Sequence, residues 1–254
     1  MVSTCRELLR AWRRDPTDPV AADACAAALH RARVELPWEL IPALSRWRQP
    51  LGLVARFAAQ PPAEADGWPE AELLAAEARL GFRLPVALRE WYRVVGRWTG
   101  APLLHGWMVT PAELVLLDGL LVVLRNVDAR ASIREADLGR VDPLLFVENE
   151  RRSEAGELEG PLSRTLGGRL LLELARDGPW DREVRSGTLG VHSGCFHKAG
   201  LPLLPGGGRL EQHWTDSLHG DVDLLVVGTA GLQVHIRART AEAWERAVAL
   251  AEAE

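Results

Sequence analysis

Lysine is almost missing from this chain of 254 residues: of its 30 basic side chains only Lys198 is a lysine, and the others are arginine. A phosphate-cradling P-loop is thereby excluded, because its lysine must follow a glycine-rich loop, and Gly206-Gly207-Gly208 has no lysine after it. Cysteine is scarce as well. Cys5, Cys25 and Cys195 are odd in number, far apart and without a C-x-x-C pair, which excludes a disulfide framework and predicts free thiols in a reducing compartment. No apolar run approaches the roughly 20 residues that span a bilayer. The stretch Met1 to Asp15 is charged and amphipathic, with no signal-peptide core; a cytoplasmic protein that does not enter membranes is expected. A basic excess is absent too: the net charge is -5, which argues against nucleic acid as the partner. There is no internal repeat, low-complexity segment or coiled-coil heptad.

What is present is a globular composition, 47% hydrophobic and 26% charged, long enough for one large domain or one domain with an extension. Ten of the 15 aromatic residues are tryptophan. Coding bias toward Arg, Ala, Gly and Trp accounts for this composition, although Trp and Arg are also the side chains enriched at interface hot spots.

The first fifty residues predict helices: Leu8, Leu9 and Trp12 share a face, Val20 to Val34 is alanine-rich, and Trp38 to Trp47 follows Pro37. A stiff connector with Pro61-Pro62 comes between Phe57 and Trp68. Pro69, the acidic Glu70 and Glu72, and Gly81 predict a helix to Leu80. A second helix follows Leu84-Pro85, with Leu88, Tyr92 and Val95 on one face and Gly96 as its stop. Thr110 and Glu113 have capping-box spacing and predict a short helix feeding a strand. Leu120 to Leu124 and Leu144 to Val147 read as strands, residues 150–160 as a charged loop, and Leu162 to Leu174 as a helix weakened by Gly167-Gly168. Residues 177–220 predict short strands and loops. Leu224 to Ile236 predicts a hairpin, followed by a helix from Ala241 capped by Thr240. The fold class is therefore α+β.

Glu77-Ala-Arg-Leu80-Gly81, then Leu84-Pro85-x-x-Leu88-Arg89, Trp91-Tyr92 and Gly96, resembles the signature of the SUKH superfamily, which includes a fungal cell-wall-assembly regulator and many bacterial toxin-immunity proteins. The resemblance continues through Pro111 to Leu114, the Leu120 to Leu124 strand, Ala136 to Gly139, and Asp142-Pro143 before a strand. It covers about Trp47 to Glu254. It implies a mixed, largely antiparallel sheet packed with helices over residues 47–254, with 1–46 as an N-terminal helical extension. Glu77, Gly81, Leu84, Pro85, Leu88, Tyr92, Gly96, Asp142 and Pro143 are then structural motif residues. One departure stands out: many bacterial relatives carry an Asn-Gln pair and a Trp after the first long strand, where this chain reads Arg125-Asn126-Val127-Asp128 and then Ile133.

Candidates for chemistry are few. His192, Cys195 and His197, with His213, Asp216 and His219 downstream, are the best metal ligands by type. On a strand, however, His192 and His197 would face opposite ways, so surface-loop histidines are expected and no cofactor is assigned. Cys195 with a histidine and Asp216 is a thin nucleophile reading. Glu148 with Glu150, and Asp221 with Asp223, read as solvated loop carboxylates. The arginines of Arg10-Arg13-Arg14 and Arg89-Arg93-Arg97 read as solvated helix faces, or as docking surfaces for an acidic partner. Trp91 is expected in the core. Arg97, Trp98, Trp107, Arg125 and Asn126 are the partner-binding candidates.

The expected function is a non-enzymatic protein-binding domain. The resemblance implies a toxin-immunity protein that neutralises a cognate toxin, of the polymorphic or secreted kind, by direct occlusion. The net acidic charge would suit a basic, nuclease-type toxin. The alternatives are an intracellular regulatory scaffold acting through its N-terminal helices, and a metal-binding or hydrolytic enzyme around His192, Cys195 and His197.

Overall fold

Among the described residues, helices fill the chain up to Val95 and every strand lies after it. The computed structural model describes residues 2–100, 106–125, 129–149, 157–177, 185–189, 217–220, 223–229 and 233–252. Helix α1 (Val2–Arg14) packs on α2 (Pro19–Ala32), which begins because Pro19 is preset for a first helical position and the Asp18 carboxylate accepts the Val20 amide at 2.8 Å. A 3-10 turn (Trp38–Ala43), broken by Pro42, leads into α3 (Ser45–Phe57). Then come α4 (Glu70–Leu80) and α5 (Val86–Val95). Pro69 opens α4, and Gly81 closes it at φ +80°, a left-handed conformation that glycine adopts without steric cost.

Five strands follow in a simple meander: β1 (Val115–Leu117), β2 (Leu120–Arg125), β3 (Ala129–Arg134), β4 (Leu144–Asn149) and β5 (Glu157–Pro161), each antiparallel to the next. Asp118 and Gly119, both at positive φ, make the two-residue turn between β1 and β2. Register puts Leu121 opposite Ile133 and Ile133 opposite Leu145, and this fully buried row faces the helices. Four consecutive β2 residues, Leu121 to Leu124, are buried. Strict alternation is broken there by a bulge between Val122 and Leu124, and residues 108–109 cover that end of β2, with Val109 N–H donating to Val123.

Helix α6 (Leu162–Asp177) joins the parts. It touches α3, α5, β4 and β5, and also β8 and β9 of a second sheet. That sheet holds β6 (Arg185–Leu189), β7 (Ser217–Gly220), β8 (Leu224–Thr229) and β9 (Gln233–Ala238) in the order β6-β9-β8-β7, again antiparallel throughout. Leu224, Val226, Val234, Ile236 and Ala238 share one face and pack against Ala243, Ala247 and Ala251 of α7 (Ala241–Glu252). Leu225, on the opposite face, belongs to the main core. Thr240 caps α7 by accepting the Ala243 amide at 3.0 Å.

The architecture is α+β with N-terminal helices, as the sequence predicts, and the described strands form two sheets. Residues 150–160 depart from the expected loop: the last four, Glu157 to Gly160, belong to strand β5, paired with β4. The 110–113 segment makes one turn, not a helix. Glu113 reaches back to the Thr110 amide, but the Thr110 hydroxyl donates to that same carboxylate at 2.7 Å and so caps nothing further on. Residues of the N-terminal helices, including Trp12, Cys25, Leu29, Leu40, Ile41 and Leu44, lie in one continuous core with Leu88, Tyr92 and Leu121. Among the described residues no helix is long and apolar enough to cross a membrane.

Candidate functional site

The residues of the α4–α5 motif act on one another. Glu77, buried in the last turns of α4, accepts the Leu84 amide at 2.9 Å and the Arg89 guanidinium at 2.7 Å. A carboxylate one turn before Gly81 thereby satisfies a free N–H of the link and fixes where α5 starts. Leu84, Leu88 and Tyr92 are buried on the same side. The Tyr92 hydroxyl donates to the Val109 carbonyl, and burial pushes its phenol far above the ordinary value. Gly96 lies tight against Trp68, whose ring would meet a Cβ there at 2.3 Å. Asp142 accepts both the Ser163 amide at 2.9 Å and the Ser163 hydroxyl, so the Asp142-Pro143 turn caps α6 as well as preceding β4.

Behind this pair sits a charge that sequence reasoning missed. Glu90 of α5 has a completely buried side chain. It accepts from Arg46 Nε at 2.6 Å and from Arg46 Nη2, from Trp47 Nε1 at 2.9 Å, and lies 3.3 Å from His30 Nε2. Burial alone would raise its pKa; the hydrogen bonds from His30, Arg46 and Trp47 and the Arg46 charge together hold it below the ordinary carboxylate value. Three helices, α2, α3 and α5, meet on this one carboxylate. No motif spacing announces it, because its partners lie 60, 44 and 43 residues away.

His30 and Glu90 also reach a cleft of about 420 Å³ between the end of α2, the 82–85 link, the start of α5 and the 138–140 turn. Five arginines and three glutamates line it. Each glutamate is engaged: Glu35 with Arg93 at 2.6 Å, Glu70 with Arg89, and Glu90 as above. Arg140 pairs with Asp137 at 2.9 Å but keeps a side chain 61% exposed. Arg33 and Arg83 are exposed and have no side-chain partner among the described residues. Between the charges lie Leu36, Phe82 and Leu138. Arg33 closes α2 at φ 57°, ψ 35°, a left-handed conformation that costs a residue with a Cβ roughly 1–2 kcal/mol and that glycine would adopt freely. The arrangement suits binding of anionic groups next to apolar surface.

The expected interface residues are placed unevenly. Trp98 is a correction: it is buried, 3% exposed, and its indole N–H donates to the Gln60 carbonyl at 3.0 Å, so it fills the core and has no surface to offer a partner. Arg97 is exposed but stacks 5.5 Å over Trp68 and donates to the Gly67 and Ala65 carbonyls. Trp107 is half-buried beneath the Arg169 guanidinium, 5.8 Å away. Arg125 is exposed at the end of β2, and Asn126 lies outside the described residues. Of the four described candidates, Arg97, Trp98, Trp107 and Arg125, none lines the cleft beside α5. Arg89 and Arg93 are not on a solvated face, since both side chains are largely buried and held by carboxylates; Arg97 of the same row is exposed and held by carbonyls. Trp91 is in the core, its ring 5.6 Å from that of Trp47.

His192, Cys195 and His197 lie outside the described residues, as do His213 and Asp216; His219 is on β7. Among the described residues, no group of three or more His, Cys, Asp or Glu could hold a metal ion. Cys5 and Cys25 are buried free thiols, and burial pushes the Cys25 thiol up. Glu148 pairs with Arg130 across β3 and β4. Compared with family models, curated proteins and solved structures, the chain matches none.

Proposed function

We propose that this chain is a non-enzymatic protein-binding domain of the SUKH type, acting as a toxin-immunity protein that neutralises its cognate toxin by direct binding. The observation that carries the reading is the cleft beside the α4–α5 motif, where exposed arginines surround apolar side chains. Arginine over apolar surface is the composition of an interface hot spot, because the guanidinium is weakly hydrated and binds carboxylates through paired hydrogen bonds. The motif residues support the reading from the inside. Glu77, Gly81, Leu88 and Tyr92 hold the α4–α5 pair in place beside the cleft. The buried thiols of Cys5 and Cys25 fit action in the reducing cytoplasm. The reading requires no catalytic step and no cofactor.

Co-purification of the tagged full chain from its own host, washed at two salt concentrations and followed by mass spectrometry, tests it. One large, secreted-type partner held more tightly at low salt is the expected result. Recovery of only signalling or envelope-synthesis proteins would replace immunity by the regulatory-scaffold role. An empty eluate at both salts would overturn protein binding.

A further inference from the structure

We infer that the cleft between α2 and α5 docks an acidic segment of a protein partner, with carboxylates taken by Arg33, Arg83 and Arg140 and one apolar side chain seated against Phe82 and Leu138. This rests on the protein-binding reading above and names the chemistry of what is bound.

Charge is the first argument. The chain as a whole carries -5, yet arginine outnumbers glutamate five to three around this one cleft. Its acids are already used. Glu35 neutralises Arg93, Glu70 shares Arg89 with Glu77, and Glu90 is tied to Arg46 and His30. What remains at the rim without a side-chain partner among the described residues is Arg33 and Arg83, beside Arg140, which is paired with Asp137 but keeps a side chain 61% exposed. The second argument is conformational. Arg33 occupies a left-handed helix-closing position where glycine is the unstrained residue. An arginine that costs stability there, and makes no ion pair among the described residues in return, has its use in what approaches the rim. Shape is the third. About 420 Å³ with Leu36, Phe82 and Leu138 between the charges admits one side chain of leucine or phenylalanine size with its flanking backbone.

A protein segment fits better than a nucleic acid. A polyanion needs a continuous basic track with stacking platforms, whereas this rim is short, with three exposed arginines and no aromatic platform but Phe82 among its lining residues. Alternating carboxylates and apolar side chains match it.

The test uses the full chain and an array of short acidic peptides, each with one central leucine or phenylalanine, read by fluorescence anisotropy at low and high salt. The probe set adds the same peptides with Asn and Gln in place of the acids, inorganic phosphate, and a single-stranded oligonucleotide. At least one acidic peptide should bind, weaken with salt, and lose about tenfold or more in the double variant Arg33→Glu/Arg83→Glu. Arg56→Glu, exposed on α3 and away from the cleft, makes the same kind of charge change and should leave affinity within about twofold. Arg33→Gly relieves the backbone and should raise the melting temperature while weakening the peptide, which separates loss of binding from loss of fold. Binding of no acidic peptide, equal binding by the double variant, or preference for phosphate or oligonucleotide would each overturn the docking site. The two readings fail differently: a protein partner retained equally by wild type and Arg33→Glu/Arg83→Glu removes this site and leaves protein binding standing.

Discussion

The carboxylate of Glu90 sits where an isolated charge would be intolerable, and its neighbours explain why it stays ionised. Its pKa is held below the ordinary 4.5 despite burial, by His30, Arg46 and Trp47. A lowered carboxylate contributes stability that is complete above its unfolded value and is lost as pH falls through the folded one. Urea midpoints, followed by tryptophan fluorescence, should therefore decline as pH falls below 4.5. Glu90→Gln should flatten part of that decline and lower stability near neutral pH by about 3 kcal/mol, since Arg46 keeps its charge without its counter-ion. An unchanged midpoint and slope would refute this account. Tyr92 offers the opposite limb. It is the chain's single tyrosine, and burial raises its pKa far above 10.0. Its contribution is complete below pH 10.0 and is lost as pH rises beyond that. In an alkaline titration the phenolate absorbance should appear only together with the unfolding transition; early, independent ionisation would show that the hydroxyl is open to water.

Among the elements, α6 is where the sequence and the structure differ most instructively. Gly167-Gly168 reads in sequence as a weakness, because each glycine costs a helix about 1 kcal/mol. In the structure a Cβ on Gly167 would meet Pro50 Cγ at 2.8 Å and Cβ at 3.0 Å, so this glycine is what lets α6 lie close to α3. Gly167→Ala should destabilise the protein by about 1 kcal/mol net, the packing clash outweighing the gain in helix propensity. A denaturant midpoint that rises instead would mean the two helices separate easily. Elements announced by local chemistry were legible: Pro69 and Gly81 bracket α4, and Thr240 caps α7. Strand β5 was hidden because Glu157 to Pro161 carries too few apolar residues to show alternation; its place comes from pairing with β4. The cleft was hidden for a related reason. Arg33, Arg83 and Arg140 are three isolated arginines in sequence, and only the closure of α2 onto the α4–α5 link brings them to one rim. Trp98 misled because its residue type suits an interface and a core equally well.

For the molecule as a whole, the relation of residues 1–46 to the rest decides what a truncation can report. Removing them would strip Trp12, Leu29, Leu40, Ile41 and Leu44 from the shared core and take His30 and Arg46 away from Glu90. Each large side chain is worth about 1.5–3 kcal/mol on burial, against a total stability of about 5–15 kcal/mol. A chain of residues 47–254 should therefore give no cooperative thermal transition by circular dichroism. A sigmoidal melt close to that of the full chain would show these helices to be dispensable. If the first result holds, loss of partner binding after such a deletion reports unfolding, and the scaffold role must be tested by point variants on the exposed faces of α1 and α2.

The contact of α6 with α3 also sets an order in time. During synthesis the face of α3 that carries Pro50 leaves the ribosome long before Leu162–Asp177 exists to cover it. The meander β1–β5 can form from neighbours as it emerges, but the helical layer must wait, partly uncovered, for a segment made more than a hundred residues later. This interval is when the nascent chain is most exposed to aggregation and most dependent on chaperones.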